Sequence, residues 1–167
     1  MITALKLVVA LVAGLLVMLL IAGQLGLFRG SPPAQLGVRD GRLTAPAITP
    51  NSVSSQAGLY PDHPQRAYAD IAALAYTGDG KAALLRLAVL LETTRGCVLV
   101  TRESTYLYAQ MSTPLLKFTD DVEFFVDEAA SVIHVRSASR IGRGDLGANR
   151  RRVEALRTRF EQASRRS

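Results

Sequence analysis

The chain has 167 residues, 49% of them apolar, and a membrane-length hydrophobic N-terminus leaves enough residues for one domain with one core. The formal charge of +6 comes entirely from the C-terminal part, because residues 1–136 hold 11 basic and 11 acidic side chains whereas residues 137–167 hold 9 and 3. The single cysteine, Cys97, excludes an internal disulfide bond and a thiolate metal cluster, and its apolar neighbours indicate an inert core residue.

The first predicted element is an apolar N-terminal helix. No charged residue lies between Lys6 and Arg29, and residues 7–28 are almost entirely apolar. As a helix they span roughly 33 Å, which exceeds the bilayer hydrocarbon core of about 30 Å. We therefore predict a single-pass membrane anchor in residues 1–29, with a cleaved signal peptide as the alternative. Basic residues after the helix favour a cytoplasmic domain. A very short N-terminal tail and a signal-like start instead favour export, and we expect the domain on the exported side.

Proline and glycine are frequent in the next segment, residues 30–50. Both residue types disfavour regular helix and central strand, so this segment is predicted to be a linker. Residues 51–167 are predicted to form a single α+β domain. Its first clear element is a helix over residues 81–93, which Gly96 ends. The apolar residues on one face of that helix are Leu84, Leu87, Ala88 and Leu91.

Two β-hairpins are predicted after this helix. Residues 97–102 and 105–112 flank a short connection, and pairing Thr101 with Tyr106 gives the first hairpin its register. Apolar side chains then gather on one face of the two strands. The pairs on that face are Val98 with Ala109 and Val100 with Leu107.

The second hairpin has a clearer pattern. In residues 121–127 every second side chain is apolar, and residues 128–131 are predicted to form the turn. Pairing Asp127 with Val132 is the register that places apolar residues opposite each other. The matched pairs are Phe124 with Val135 and Val126 with Ile133 on one face, and Glu123 with Arg136 on the other.

The last predicted element is a helix over residues 146–163 with Asp145 as its N-cap. Four antiparallel strands and two helices then make an α+β fold: a four-stranded antiparallel sheet covered on one face by two helices, preceded by one N-terminal transmembrane helix. Asn149 lies on the buried stripe of the last helix, and we expect it to bond the backbone of residues 137–140. The apolar residues of that stripe are Leu146, Val153, Leu156 and Phe160.

Two stretches of the sequence resemble a known family. Residues 50–57 read Pro-Asn-Ser-Val-Ser-Ser-Gln-Ala, residues 118–124 read Phe-Thr-Asp-Asp-Val-Glu-Phe, and residues 133–150 run from Ile-His-Val-Arg-Ser-Ala-Ser-Arg-Ile-Gly to Asp-Leu-Gly-Ala-Asn-Arg. Together they are similar to the family of domain of unknown function 1499 over about residues 43–160. The family name assigns no activity, so the resemblance implies the fold and extent of the domain.

The first family motif departs from the family pattern in this chain. The family has a cysteine where this chain has Ser52 and a second where it has Pro46. The loss of both thiols argues against carrying over a disulfide, metal or redox role. We expect no cofactor.

The junction between the second hairpin and the last helix is a candidate ligand site. Arginines and serines are followed there by glycines and a helix N-terminus, which together suit a phosphate or a carboxylate. We therefore expect a non-catalytic accessory domain that binds a protein partner or a small anionic ligand through Arg136, Ser139, Arg140 and Asn149. The alternative is that the arginines pair within the chain, in a structural polar network with Asp120, Asp121, Glu123 and Asp145.

Two further functions stay open from the sequence. Asp121 or Glu123 would be the acid or base of an unrecognised enzyme, with Arg136 as electrostatic support. Alternatively, the arginine-rich last helix would bind the surface of anionic lipids. Ser54 and Ser55 are not expected to be nucleophiles, because no nucleophile elbow surrounds them and the only histidines lie in a proline-bounded loop and on a strand. We expect no catalytic residue, no metal site and no nucleic-acid binding.

Overall fold

The computed structural model describes residues 2–165, so residue 1 of the predicted anchor and residues 166–167 of the predicted domain lie outside it. The helices are α1 (Ile2–Gln24), α2 (Arg66–Ala69), α3 (Gly80–Glu92) and α4 (Ala148–Ser164), and a 3₁₀ turn spans Ala57–Leu59. The strands are β1 (Ser52–Ser54), β2 (Leu74–Ala75), β3 (Cys97–Arg102), β4 (Tyr106–Ser112), β5 (Thr119–Asp127) and β6 (Val132–Ser139).

The strands form one sheet in the order β1-β6-β5-β4-β3, and β2 pairs with β6 beside β1. Every one of these strand pairs is antiparallel. The predicted α+β class is confirmed, but the predicted number of four strands is wrong, since the described residues form a six-stranded sheet. Strands β1 and β2 are only three and two residues long, which is too short for an alternating pattern to reveal them.

The second predicted hairpin is confirmed in its register. Strands β5 and β6 pair as the alternation predicts, and residues 128–131 connect them. Apolar side chains therefore face one side of the sheet, and charged side chains face the other. The matched pairs are Asp127 with Val132, Val126 with Ile133, Phe124 with Val135 and Glu123 with Arg136.

The register predicted for the first hairpin is wrong. Thr101 pairs with Tyr108 rather than with Tyr106, and a bulge lies just before Thr101. Before the bulge, β3 is shifted by one residue from the predicted register. Each side chain in that part of β3 therefore faces the side of the sheet opposite to the predicted one. Val98 and Val100 are therefore 61% and 50% exposed instead of buried. The residues of β3 that pack on the core are Cys97 and Leu99.

Hydrophobic side chains of α3 and α4 share one core with the apolar face of the sheet. Asp79 caps α3, because its carboxylate accepts a hydrogen bond from Ala82 N at 2.7 Å. Burial at the edge of this core raises the pKa of the Cys97 thiol to about 11, so the reactive thiolate is scarce at neutral pH. The largest contributors to the core include Leu84, Leu87, Leu91, Phe124, Val135, Val153, Leu156 and Phe160.

Helix α4 begins later than predicted, at Ala148. Its N-cap is Gly147, which has a φ of 77°, and the carboxylate of Asp145 accepts hydrogen bonds from the backbone nitrogens of Gly147 and Asn149. Leu146 has a φ of 50° and is 94% exposed, so its predicted place on the buried stripe is wrong. Helical spacing does not apply to Leu146, because that residue precedes the helix.

The polar face of the sheet is covered by residues 36–45, which fall within the predicted linker. We call them the covering segment. Leu43 is 1% exposed and packs against Tyr106 and Tyr108. Gln56 fixes the segment, since its Oε1 accepts a hydrogen bond from Leu43 N at 2.8 Å. Both faces of the sheet are therefore covered, one by a core and one by a short stretch of chain.

Helix α1 contacts the domain at its C-terminal end. It is the one helix in residues 2–165 that is long and apolar enough to cross a membrane, a property that signal sequences share. A Cβ atom added to Gly23 would lie 2.8 Å from the Cα atom of Leu116. Just after the helix, Phe28 stacks on Phe118 with ring centroids 5.3 Å apart. The end of α1 is therefore packed on the loop between β4 and β5.

Candidate functional site

The covered face of the sheet holds a buried ion pair between Arg136 and Glu123. Arg136 Nη1 lies 3.4 Å from Glu123 Oε2, and the two side chains are 8% and 0% exposed. Tyr106 Oη donates a hydrogen bond to Glu123 Oε1 at 2.9 Å. The covering segment completes the site, because Gly37 N donates to Glu123 Oε1 at 2.8 Å and Arg136 Nε donates to Ala45 O at 3.3 Å. Both charges are thus compensated inside the protein.

A second buried ion pair lies beside the first. Arg140 binds the Asp121 carboxylate through two hydrogen bonds, from Nη2 at 2.7 Å and from Nε at 2.9 Å. Tyr108 Oη donates to Asp121 at 2.5 Å. The bonds to Asp121 raise the pKa of Arg140, and burial together with the bond to Asp121 raises the pKa of Tyr108. Asp121 and Glu123 are 2% and 0% exposed, and Gly37 of the covering segment bonds Glu123, so a substrate would reach Glu123 only by displacing that segment.

On the face towards α4, the polar side chains meet at Asn149, which is fully buried. The sequence predicts that Asn149 bonds the backbone of residues 137–140. In the structure, Asn149 bonds two side chains of that stretch and the backbone of Asn51, the residue before β1. Nδ2 of Asn149 donates to Asn51 O at 3.0 Å, Ser139 Oγ at 2.9 Å and Asp145 Oδ2 at 2.8 Å, and its Oδ1 accepts from Ser137 Oγ and Arg152 Nη1.

Two acidic residues stand at the edge of this network. Burial opposes ionisation of Asp145, but hydrogen bonds from Tyr68 and from two backbone nitrogens outweigh it and lower the pKa of the carboxyl group. Asp120 pairs with Arg152, whose Nη2 lies 2.5 Å from Asp120 Oδ2. No group of three or more His, Cys, Asp or Glu side chains among residues 2–165 is placed to hold a metal ion.

The four predicted ligand residues lie on opposite faces of the sheet. Arg136 and Arg140 form ion pairs on the covered face. Ser139 and Asn149 bond to each other on the face towards α4. The structure therefore does not bring the four side chains together, and the binding of an anion or a partner by all four stays a prediction.

The arginines of α4 largely donate hydrogen bonds within the protein. A lipid headgroup would have to compete with these bonds, although among residues 2–165 only Arg152 and Arg157 of this helix pair with carboxylates. The acceptors are Tyr68 O for Arg150, Leu146 O for Arg151, Asp120 for Arg152, Ala72 O, Ala73 O and Glu154 for Arg157, and Thr94 Oγ1 for Arg159.

A cavity of about 420 Å³ opens where β5 begins and β6 ends. Residues 113–118 and 140–147, which we call the anchor-end loops, border it, and we call it the anchor-end cavity. It lies close to the chain that leaves α1, because a Cβ atom added to Gly30 would be 3.0 Å from Ile141 Cγ1. Its main side chains are apolar Phe118, Ile141 and Leu146, and polar Asp120, Ser139 and Asp145.

A hydroxyl, an imidazole and a carboxylate meet at the opposite end of the sheet. Ser55 Oγ lies 3.1 Å from His134 Nδ1, and His134 Nε2 lies 3.5 Å from Asp127 Oδ2. All three line a cavity of about 300 Å³. Ser55 also continues the pairing of β1 with β6, since Ser55 N donates to Val135 O at 2.9 Å, and Val135 N donates to Ser55 Oγ at 2.9 Å. The sequence places Ser55 and His134 far apart, and only the unpredicted strand β1 brings them together.

Comparison with known families matches residues 42–160 to a family described as protein of unknown function, DUF1499. The match begins in the covering segment, ends in α4 and includes every strand of the described sheet. The resemblance predicted from the sequence motifs over about residues 43–160 is thereby confirmed. No curated protein and no solved structure matches the chain.

Proposed function

Because the chain belongs to DUF1499, a family of unknown function, we infer its role from its own structure. We propose a membrane-anchored accessory domain that rests on the bilayer through its anchor-end loops and binds a ligand there. Helix α1 is compatible with such an anchor. We propose the ligand site at these loops and not at Arg136 and Arg140, because the guanidinium groups of both arginines already bind carboxylates of the chain.

The observation that carries the proposal is the position of both anchor-end loops beside the end of α1. Gln24, the last residue of α1, donates a hydrogen bond from Nε2 to Leu115 O at 2.8 Å. Phe28 stacks on Phe118, and Gly30 lies against Ile141. A helix that crosses the bilayer therefore delivers these loops to the headgroup region.

The side chains of the anchor-end loops suit a bilayer surface. Large apolar residues there are unusually exposed: Leu115 at 67%, Ile141 at 41% and Leu146 at 94%. Basic residues accompany them. Arg29, Lys117 and Arg143 form no ion pair with any acidic side chain in residues 2–165. Apolar side chains bury at the acyl boundary while cations meet anionic headgroups. This surface replaces α4 as the candidate lipid contact.

Tryptophan fluorescence tests the proposal, because the chain has no tryptophan of its own. Full-length Leu146→Trp protein in nanodiscs that contain bromolipids is expected to lose about half or more of its emission, since interfacial side chains reach about 5–10 Å into the headgroup and acyl boundary. Leu59→Trp is the matched control, because Leu59 is 47% exposed at the other end of the sheet. Equal emission from the two variants would refute contact of the loops with the bilayer.

We place the domain on the exported side as part of this proposal, because Lys6 followed by a long apolar stretch is typical of an export signal. Protease added outside sealed, right-side-out vesicles is then expected to digest the domain. Digestion only after the vesicles are opened would place it in the cytoplasm, and contact of the loops with the bilayer would be tested there in the same way.

A second candidate function is hydrolysis of an ester, and the contact between Ser55 and His134 favours it. With Nε2 protonated towards Asp127, His134 Nδ1 would take the proton of Ser55 as Oγ attacks the carbonyl carbon. The alcohol would leave with that proton, and water would then release the acid from Ser55.

A fluorophosphonate probe tests this second candidate, because it reacts with activated serines. Labelling of Ser55 is expected in the wild type and is expected to vanish in Ser55→Ala, whereas Ser54→Ala is the neighbouring control. An unlabelled wild type would show that Ser55 serves only the pairing of β1 with β6.

A further inference from the structure

We infer that the anchor-end cavity binds a single-chain amphiphile whose polar head carries hydroxyl or ammonium donors. This inference rests on the proposed function for the position of the cavity at the bilayer. The observations that carry it are an acceptor without a partner on the cavity floor, the charge of the lining, and apolar walls that continue from α1.

The floor of the cavity has one unused acceptor and one unused donor. Asp120 is 5% exposed, and its Oδ2 binds Arg152. Its Oδ1 accepts no hydrogen bond from residues 2–165. Ser139 Oγ accepts from Asn149 Nδ2 at 2.9 Å, while its own proton has no acceptor in the described part of the chain. A hydroxyl group of a ligand can bond both atoms, and an ammonium group can bond Asp120.

The charge of the lining selects the type of head. Two carboxylates, Asp120 and Asp145, line the cavity, and no lysine or arginine from residues 2–165 does so. Asp145 already accepts bonds from Tyr68, Gly147 and Asn149. The free oxygen of Asp120 would repel the charged oxygens of a phosphate or fatty-acid head, even though Arg152 pairs with its other oxygen, whereas a hydroxyl or ammonium head can donate a hydrogen bond to it. The cavity therefore disfavours the anionic ligand that the sequence predicts for this junction.

The walls provide room and an apolar path for a chain. Phe118, Ile141 and Leu146 form the apolar part of the lining. Gly142 and Gly144 also line the cavity and add no side chain that would fill it. A volume of about 420 Å³ lies within the range of about 300–1,000 Å³ that is typical of small-molecule sites. Since Phe118 stacks on Phe28, the apolar wall is continuous with the residues that follow α1.

Photoreactive lipids test the inference on full-length protein in nanodiscs. Three diazirine probes of equal chain length would be used: a monoacylglycerol, an alkylamine and a fatty acid. The first two are expected to label residues 113–120 and 139–148 about fivefold more than the fatty acid, which corresponds to the selectivity of one good polar contact. Asp120→Asn is expected to reduce labelling by the alkylamine more than labelling by the monoacylglycerol.

A cavity-filling variant provides the decisive comparison. Ala148 lines the cavity, and Ala155 is exposed on the same helix. Ala148→Leu is expected to lower labelling by the monoacylglycerol about fivefold, and Ala155→Leu is expected to leave it unchanged. Thermal unfolding of both variants in the same nanodiscs identifies a folding defect. If Ala148→Leu does not fold, Gly144→Ala supplies the same comparison with a smaller side chain.

Two results would overturn the inference. Equal labelling by all three probes would indicate proximity to lipid without a selective site, as would labelling that the cavity-filling variant leaves intact. The bromolipid experiment separates the two proposals. Quenching of Leu146→Trp without head-selective labelling supports bilayer contact alone, whereas head-selective labelling without quenching supports the cavity and refutes the bilayer contact.

Discussion

Arg136→Ala is expected to lower the free energy of unfolding by about 3–5 kcal/mol. The variant would leave the Glu123 carboxylate, which is fully buried, without its cation. Only the donors at Tyr106 Oη and Gly37 N would remain for that carboxylate. The measurement is urea unfolding of the full-length protein in mild detergent, followed by circular dichroism, with Arg143→Ala as the control because Arg143 is exposed.

A paired variant distinguishes charge from shape at the same position. Arg136→Met combined with Glu123→Leu removes both charges and keeps most of the buried volume. It is expected to regain most of the stability that Arg136→Ala loses, since apolar replacements of a buried ion pair are often neutral or stabilising. If Arg136→Ala unfolds at the same urea concentration as Arg143→Ala, the ion pair between Arg136 and Glu123 is not a structural requirement.

The second large effect is expected for Asn149→Leu, at about 2–4 kcal/mol of lost stability. Leucine has the same branching and number of side-chain heavy atoms as asparagine but no polar atoms. Its introduction would leave buried groups on three segments without their shared partner, among them Asn51 O and Ser137 Oγ. Because Asn51 immediately precedes β1, Ser137 lies on β6 and Arg152 lies on α4, local opening near Asn51 is expected to increase, and hydrogen exchange measures it.

The control for this prediction is Gln162→Leu on the same helix. Gln162 is an exposed amide, so its replacement is expected to change stability by less than about 0.5 kcal/mol. A loss of the same size in both variants would indicate a general intolerance of leucine on α4. Unchanged hydrogen exchange near Asn51 in Asn149→Leu would contradict the role of Asn149 as the link between the segments.

The parts of the fold that the sequence predicts are those in which two independent patterns agree. In the second hairpin, the apolar alternation and the pair of Glu123 with Arg136 select the same register. In the first hairpin, one pattern stands alone, and a bulge before Thr101 changes it. The covering segment has no periodic pattern, so its contacts with the sheet follow from tertiary packing and not from local sequence.

The candidate site is predictable only in part. Burial of Asn149 follows from its place on the helical stripe, and the structure agrees. Strand alternation also argues against the predicted ligand site. Arg136 and Ser139 are three residues apart on β6, so they must face opposite sides of the sheet. The sequence indicates only one side of the anchor-end cavity, the junction between β6 and α4, because the other side comes from residues 113–120.

The close approach at Gly23 fixes the position of the domain on the end of α1. An alanine there would place its Cβ 2.8 Å from Leu116 Cα, so helix and domain meet backbone to backbone, without a flexible tether between them. Rotation and tilt of α1 are then passed directly to the sheet. Strand β5 runs away from this contact for nine residues, or about 30 Å. If α1 crosses a bilayer, as we propose, the tip that carries Asp127 and His134 would lie about 30 Å from the lipid, where water-soluble molecules can reach it.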